Sequence, residues 1–404
     1  MVTESESGIS NFRTFFLTVL ILSSIGMVAT DIYLPSLPFI QRDLSTTKIL
    51  TRLTLSFYLF SFSISQLVFG PLSDRLGRRK IAFLGLGISI LGSLVCMLSL
   101  NIFSLIIGRF IQGLGLGVGP TLARSIRRDV HSGSDLARFG SSIIIGTAIL
   151  FAVAPALGGY IQHYMGWRIT FLFILVYTMS GILCVRFLLP ETNKHLNPLA
   201  TKLKIAAKNY LILLKSPVFI GYSLCSSFVF AGLSAYFTTG PFLFENIIGL
   251  SALEYGWLGL IIASGLGLGG FFNKIGFELF GRHLMLVVGT AVIFFSGILM
   301  LALALLNLVN TFAIMLPMAI FSLGAGITFT HSFVGAFDPF AKIAGFSAAL
   351  FGCMQIFGGA VASSIMAVIH EENQIPLSIA LIIVGISAYL FQLMAFLSSK
   401  KQKS

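Results

Sequence analysis

Twelve apolar runs of about 20 residues, separated by short polar or basic stretches, pattern this chain of 404 residues. They lie near 14–38, 52–73, 80–100, 102–123, 139–162, 168–190, 217–240, 253–273, 284–306, 311–333, 345–369 and 375–398. At 1.5 Å per residue, a helix of that length crosses the ~30 Å hydrocarbon core of a bilayer. The pattern therefore predicts an all-α membrane protein with twelve transmembrane helices. The seventh and tenth runs are the least regular, because Gly, Thr and Pro crowd their ends. The longest polar stretch, "LPETNKHLNPLATKLKIAAKNYLILLKSP", divides the runs six and six. It predicts a six-helix bundle over 1–190, a linker over 191–216 and a second six-helix bundle over 217–404. Two such halves fit the parallel-repeat plan of secondary transporters, with substrate bound at mid-membrane between them. "GPLSDRLGRRK" after the second run has a worn echo in "GFFNKIGFELFGRH" after the eighth, with Gly281-Arg282 kept.

Composition agrees with this solvent. Hydrophobic residues make up 56% of the chain and charged residues 10%, against roughly 25% charged in soluble domains. The first run lacks a small-residue cleavage site, so it is expected to remain a membrane helix. Cys96, Cys184, Cys225 and Cys353 all fall in apolar runs and read as inert packing residues, not disulfides or metal ligands.

Charge sets the direction. With the N-terminus inside, 21 of the 26 Lys and Arg residues, Lys194 and Lys403 among them, fall on the cytoplasmic side. The outer loops hold Arg42, Lys48, Arg52 and Arg168, and Arg109 lies within a run. Both termini are expected in the cytoplasm. The net charge of +12 follows from this topology, with no nucleic-acid partner needed. Trp167 and Trp257 are expected at the outer interface.

Only Asp31 and Arg109 read as ionisable residues, histidine aside, inside the apolar runs. Both sit roughly 10–12 Å below the outer rim, counting 1.5 Å per residue. A charge at a helix centre costs about 2.5–3.5 kcal/mol on insertion scales, and such residues mark ion paths by default. Asp31 thus reads as a proton- or cation-binding carboxylate facing a central cavity, with Arg109 as its partner or electrostatic modulator. The alternatives are a fixed helix-end acid and a snorkelling arginine. His331 reads either as a titratable group or as an interfacial histidine. Gln66, Gln112 and Gln355 either line a wet cavity or bond helices together. Among cavity-lining candidates we count Gln112, Tyr33, Tyr236 and His331.

Spans four and five carry "GRFIQGLGLGVGP" and "GTAILFAVAPALGGY". Small residues let helices approach closely, so these stretches read either as close packing alone or, with Pro155, Gly158 and Gly159, as a hinge or a seal between the halves. In "GPLSDRLGRRK", Asp74 with Arg75, Arg78 and Arg79 forms a charged clasp at the membrane surface, or a simple basic anchor.

Taken together and in this order, these stretches resemble the major facilitator superfamily, and more narrowly its twelve-span drug:proton antiporters of the Bcr/CflA group. "GPLSDRLGRRK", "GRFIQGLGLGVG", "APALGG" and "TDIYLPSLPFI" are similar to the family's loop, helix-four, helix-five and helix-one motifs. "GWRITFLFILVYTMSGILCVRFLLPET" and "FAGLSAYFTTGPFLFENIIGLSALEYGWLGL" carry the narrower likeness. The resemblance implies an alternating-access exporter in the inner membrane, driven by protons and able to work as a monomer. It makes Asp31 the proton-linked acid and Arg109 the arginine that assists it. Asp74, Arg78 and Asp129 become a charge relay holding the outward-facing state. Two positions depart from the pattern: Ala154 stands where Gly is usual, and His331 where asparagine is usual.

A dedicated exporter or importer of one endogenous metabolite or siderophore is the second reading. Comparing metabolites of cells with and without the protein separates the two. No Ser/His/Asp set, metal-ligand spacing or phosphate-binding loop argues for an enzyme or a cofactor, and no charged ring or repeated filter argues for a channel.

Overall fold

The computed structural model describes residues 12–401 except 131–132, 194–195, 197 and 199–200, so Lys194 and Lys403 lie outside the described residues. Among the described residues, twelve helical stretches are long and apolar enough to cross a membrane. The first span is α1 (Phe12–Asp31), a 3₁₀ turn at Leu34–Ser36 and α2 (Leu37–Asp43). It breaks at Asp31 for a backbone reason: Pro35 has no N–H to give the Asp31 carbonyl, and Pro38 repeats the defect one turn on. Next come α3 (Lys48–Leu76), α4 (Arg78–Met97), α5 (Ile102–Leu116), α6 (Val118–Val130), α7 (Gly133–Met165) and α8 (Trp167–Phe187). α9 (Leu203–Leu214) lies in the connecting segment. The later spans are α10 (Pro217–Phe242), α11 (Ala252–Leu305), α12 (Thr311–Phe337), α13 (Ala344–Val368) and α14 (Ile375–Lys401). α11 holds two spans, broken at Gly281.

Polar caps start several of these helices on the side away from the termini. Thr47, Asn101, Ser251 and Asn310 each accept a backbone N–H of the first turn, and Asn101 and Ser251 complete capping boxes with Ser104 and Glu254. The glycines of "GRFIQGLGLGVG" serve close packing. Gly108 faces Cys96, Gly113 the Tyr58 carbonyl, Gly115 Ser89 and Gly119 the Leu22 carbonyl, leaving no room for a Cβ.

The worn sequence echo corresponds to a structural one. Gly77 (φ +97°) and Gly281 (φ +71°) both turn the chain through the left-handed region between two spans. The arginine after each meets an acid at a helix end: Arg78 donates to Asp129 at 2.9 Å, and Arg282 to Asp338 at 2.6 Å.

The two halves meet along α3 against α13 and α7 against α11. With an even number of spans, both termini lie on one face, here called the terminus face. Away from it the α7–α11 seam is closed: a Cβ at Gly256 would stand 2.5 Å from the Pro155 carbonyl, and one at Gly259 2.7 Å from the Pro155 ring. Toward the terminus face the α11 stripe has no such neighbour: a Cβ at Gly267 or Gly270 would meet nothing within 4 Å.

Candidate functional site

Asp31 sits on the first-half side of this seam, just inside its closed end. Its side chain is 1% exposed, and neither carboxylate oxygen has a hydrogen-bond partner among the described residues. A cavity of about 10 Å³ touches it, lined also by Phe151 and Pro155 of α7, Tyr236 of α10, and Tyr255 and Gly259 of α11. That is room for about one water, far below the 300 Å³ or more of a drug-sized pocket. The site as it stands fits a proton or a water. It takes nothing larger.

Arg109 does not pair with Asp31. Its guanidinium is sandwiched between the rings of Tyr58, 4.0 Å away, and Tyr33, 4.5 Å away. It donates to the Ala29 carbonyl at 3.3 Å and to the Gln112 side chain. Tyr58 stands between the two charges: its hydroxyl donates to the Gly26 carbonyl at 2.7 Å and lies within electrostatic reach of both Arg109 and Asp31. Aromatic faces and carbonyls thus solvate a buried cation without an anion, and Asp31 is left uncommitted.

The other cavity candidates divide. Tyr236 lines the Asp31 cavity. Gln112 is buried between helices, donating to Ser93 at 2.8 Å. The Tyr33 hydroxyl bonds Thr54 at 2.6 Å. His331 is buried on α12 beside Phe277, ring centroids 5.5 Å apart, with Nε2 unpartnered among the described residues. These three do not line the Asp31 cavity. Gln66 accepts from Arg124 at 2.8 Å and Gln355 donates to Ser226 at 2.9 Å, so each ties helices together.

Pro155 and Gly159 form the α7 half of the closed seam, whereas Gly158, expected with them between the halves, packs inside the first half. A Cβ at Gly158 would strike the Ile32 carbonyl just past Asp31, and one at Gly159 the Ala252 carbonyl of α11. Ala154 is buried beside them.

The clasp is built within the first half. Arg78 binds Asp129 through Nε and Nη2 at 2.9 and 3.2 Å, donates to Ser73 at 2.7 Å, and pairs with Asp74. Glu191, which the sequence did not single out, accepts the backbone N–H groups of Arg78 and Arg79 at 2.9 and 3.1 Å. It is the anion at the N-terminus of α4. A cleft of about 230 Å³ separates Asp74 and Arg128 from Gly345 and Ala349 of α13.

Sequence reasoning missed two features that the fold creates. Arg52, assigned to an outer loop, is 1% exposed and forms an ion pair with equally buried Glu371 across the two halves. It also donates to the Met366 carbonyl at 3.4 Å and stacks on Phe242 at 4.7 Å. Glu245 lies in the extension of the seventh span to Ile248, with both oxygens buried and unpartnered among the described residues. Asp31 and Arg109 are therefore not the only membrane charges. Of the two tryptophans at the ends of spans away from the termini, Trp167 is buried and donates to Asp43 at 2.9 Å, whereas Trp257 is exposed.

Two six-span halves, a seam closed at one end, and a partnerless acid beneath the closure fit a secondary transporter. Residues 19–363 match the Major Facilitator Superfamily, and the chain belongs to that family of transporters. It is similar to the "Uncharacterized MFS-type transporter YdgK" of Bacillus subtilis, 31% identical over 90% of this chain and 91% of that one. It is 28% identical to Multidrug resistance protein D of Escherichia coli, over 92% of each chain. It is also 28% identical to the Bicyclomycin resistance protein homolog of Haemophilus influenzae, over 96% of this chain and 97% of the relative. These are relatives of the Bcr/CflA group.

Proposed function

We propose that the protein is a proton-coupled exporter of small organic compounds, of the drug-efflux kind, in a bacterial inner membrane with both termini in the cytoplasm. On this reading the structure is the state open toward the cytoplasm. The bundles 1–190 and 217–404 rock about the seams, opening one face as the other closes. The single observation that carries the reading is Asp31: a carboxylate without a partner, at the seam, with space for a proton and little else. An ionised carboxylate sealed there is costly, and a proton removes that cost. Neutral Asp31 suits the closed outer end. Its ionised form suits a state in which water reaches it.

Arg109 holds a fixed positive field nearby through Tyr58, without locking the acid in an ion pair. Arg52–Glu371 and the Pro155–Gly256 contact act as the outer gate. The relay of Asp74, Arg78 and Asp129 acts at the inner face. When the cleft there closes, Asp74 comes toward the N-terminal turn of α13, whose dipole favours an anion. That difference between states is what lets the clasp bias the equilibrium toward the outward-facing form.

The test is acidification-driven transport in inverted vesicles, comparing wild type with Asp31→Asn over a panel of organic compounds. A compound that dissipates the proton gradient with wild type and not with the variant supports both the export and its acid. Normal gradient-driven transport by the variant removes Asp31 from the mechanism. A panel in which nothing moves turns the reading toward one endogenous cargo.

A further inference from the structure

The second-half side of the same closure holds a second acid that the reading above does not use. Glu245 belongs to a π-helical turn, Leu243–Ile248, that follows Pro241 at the end of α10. Single π turns inside helices concentrate at functional sites, because they give up regular bonding to re-aim a side chain. Here the turn carries a carboxylate whose two oxygens are shut away from the surface without a hydrogen-bond partner among the described residues. Asp31 is in the same condition.

The groups facing Glu245 come from several elements. Arg42 of α2 acts on it through charge. Lys48 and Arg52 of α3 are turned to the Phe242 ring, at 5.4 and 4.7 Å, and Arg52 is committed to Glu371. Glu254 of α11 is exposed and caps its own helix through Ser251. Tyr255 of α11 lies within electrostatic reach of both Glu245 and Asp31, and it sits beside Tyr236 of α10, both meeting the chain at Gly240, while the Tyr236 hydroxyl donates to the Met315 sulfur at 3.5 Å. Both tyrosines line the one-water cavity at Asp31. A first-half acid thus shares a cavity with these two tyrosines, and a second-half acid acts on Tyr255 through charge, inside the closure that must open and shut in each cycle.

We propose that Glu245 is a second proton-binding site of the transporter, coupled to Asp31 across the Tyr236–Tyr255 pair. The inference rests on the proton-coupled reading of Asp31 and extends it to the second half. Each acid takes one proton to become a neutral carboxyl and returns it as a carboxylate; no other bond changes. Two buried acids that both act on Tyr255 in a poorly polarisable medium are coupled through it, so their titrations are linked. Linkage is reciprocal: whatever Asp31 does to proton affinity at Glu245, Glu245 does at Asp31.

The experiment uses the purified full-length protein and needs no transported compound. Infrared difference spectra across a pH titration follow the carbonyl stretch of protonated carboxyl groups in wild type, Asp31→Asn, Glu245→Gln and the double variant. We expect one titrating component to vanish in each single variant and both in the double. We also expect each remaining component to shift its midpoint by the same amount in pH. Glu245→Asp is expected to restore a band at an altered position; a band lost in Glu245→Gln and not restored by Glu245→Asp reports altered folding and overturns the assignment. A Glu245→Gln spectrum identical to wild type overturns it too, while leaving Asp31 untouched. Loss of a band with no shift in its neighbour overturns the coupling. A spectrum unchanged by Asp31→Asn defeats the reading of Asp31 instead, so the two failures are distinguishable.

Discussion

The two ends of the α7–α11 seam are made of the same kinds of residue and behave in opposite ways. At the closed end, Pro155 and Gly159 press against Ala252, Gly256 and Gly259 so tightly that no Cβ fits. At the other end, Gly267 and Gly270 of the same α11 stripe have empty space before them. Small residues at helical spacing permit close contact; they do not compel it. What holds that side shut is added at the neighbouring α3–α13 seam: the buried Arg52–Glu371 pair and the Ser56–Ser363 bond at 2.8 Å cross the halves, and Ser363 is held in turn by Thr238 of its own half at 2.9 Å. A stripe of glycines that can close at either end, with polar fasteners that engage at one end at a time, is what a two-state carrier needs.

The comparison can be broken most forcefully at the ion pair. Arg52→Ala strands Glu371 in a buried place, which costs about 3–5 kcal/mol. The closed end is expected to loosen, seen as lower thermal stability of the purified protein and as faster labelling of a cysteine placed at Ala252, which is 1% exposed. Unchanged stability and labelling would mean that the pair fastens nothing. Asp31→Asn should leave that labelling unaltered while gradient-driven transport falls to background, since it removes a proton site and no fastener.

Gly256→Val comes next. It forces branched carbon into the Pro155 carbonyl and should destabilise the closed end by about 1–3 kcal/mol through overpacking. Transport is expected to be lost because that end no longer shuts; a melting scan and the vesicle assay check both halves of the statement. Ser363→Ala removes two interhelical hydrogen bonds, each worth about 0.6 kcal/mol on average in membranes. It should slow export without abolishing it, and wild-type rates would show that the bonds are idle. Gly267→Ala is the mildest: at the open end it should change the stability of this state by no more than about 0.5 kcal/mol. A larger drop measured by thermal unfolding would mean that the open end is occupied by a contact the comparison omits.

Much of this was legible along the chain. Apolar run length alone yields twelve spans, because in hydrocarbon the backbone must satisfy itself within each helix. Asp31 stood out as an acid in an apolar run, and Gly77-Arg78 with Gly281-Arg282 betrayed the repeat. Glu245 did not stand out, because five residues past the end of an apolar run look like a loop; the π turn that carries it inward is a backbone choice with no sequence signature of its own. Glu371 was hidden for the same reason, in the polar link between α13 and α14, and Glu191 in the linker.

The order of apolar and basic residues thus settled how many helices there are and which segments can lie in lipid, since each depends on nearest neighbours along the chain and on the solvent. It also marked Asp31 and Arg109 as costly charges. Whether those two touch depended on the packing of α1, α3 and α5, and there Tyr33 and Tyr58 claim the arginine and leave the acid alone. Which end of the seam is shut, and which acids that closure buries, follows from contacts between residues hundreds of positions apart, such as Arg52 with Glu371. Pairings of that range are decided by how whole helices pack, and local pattern carries no record of them.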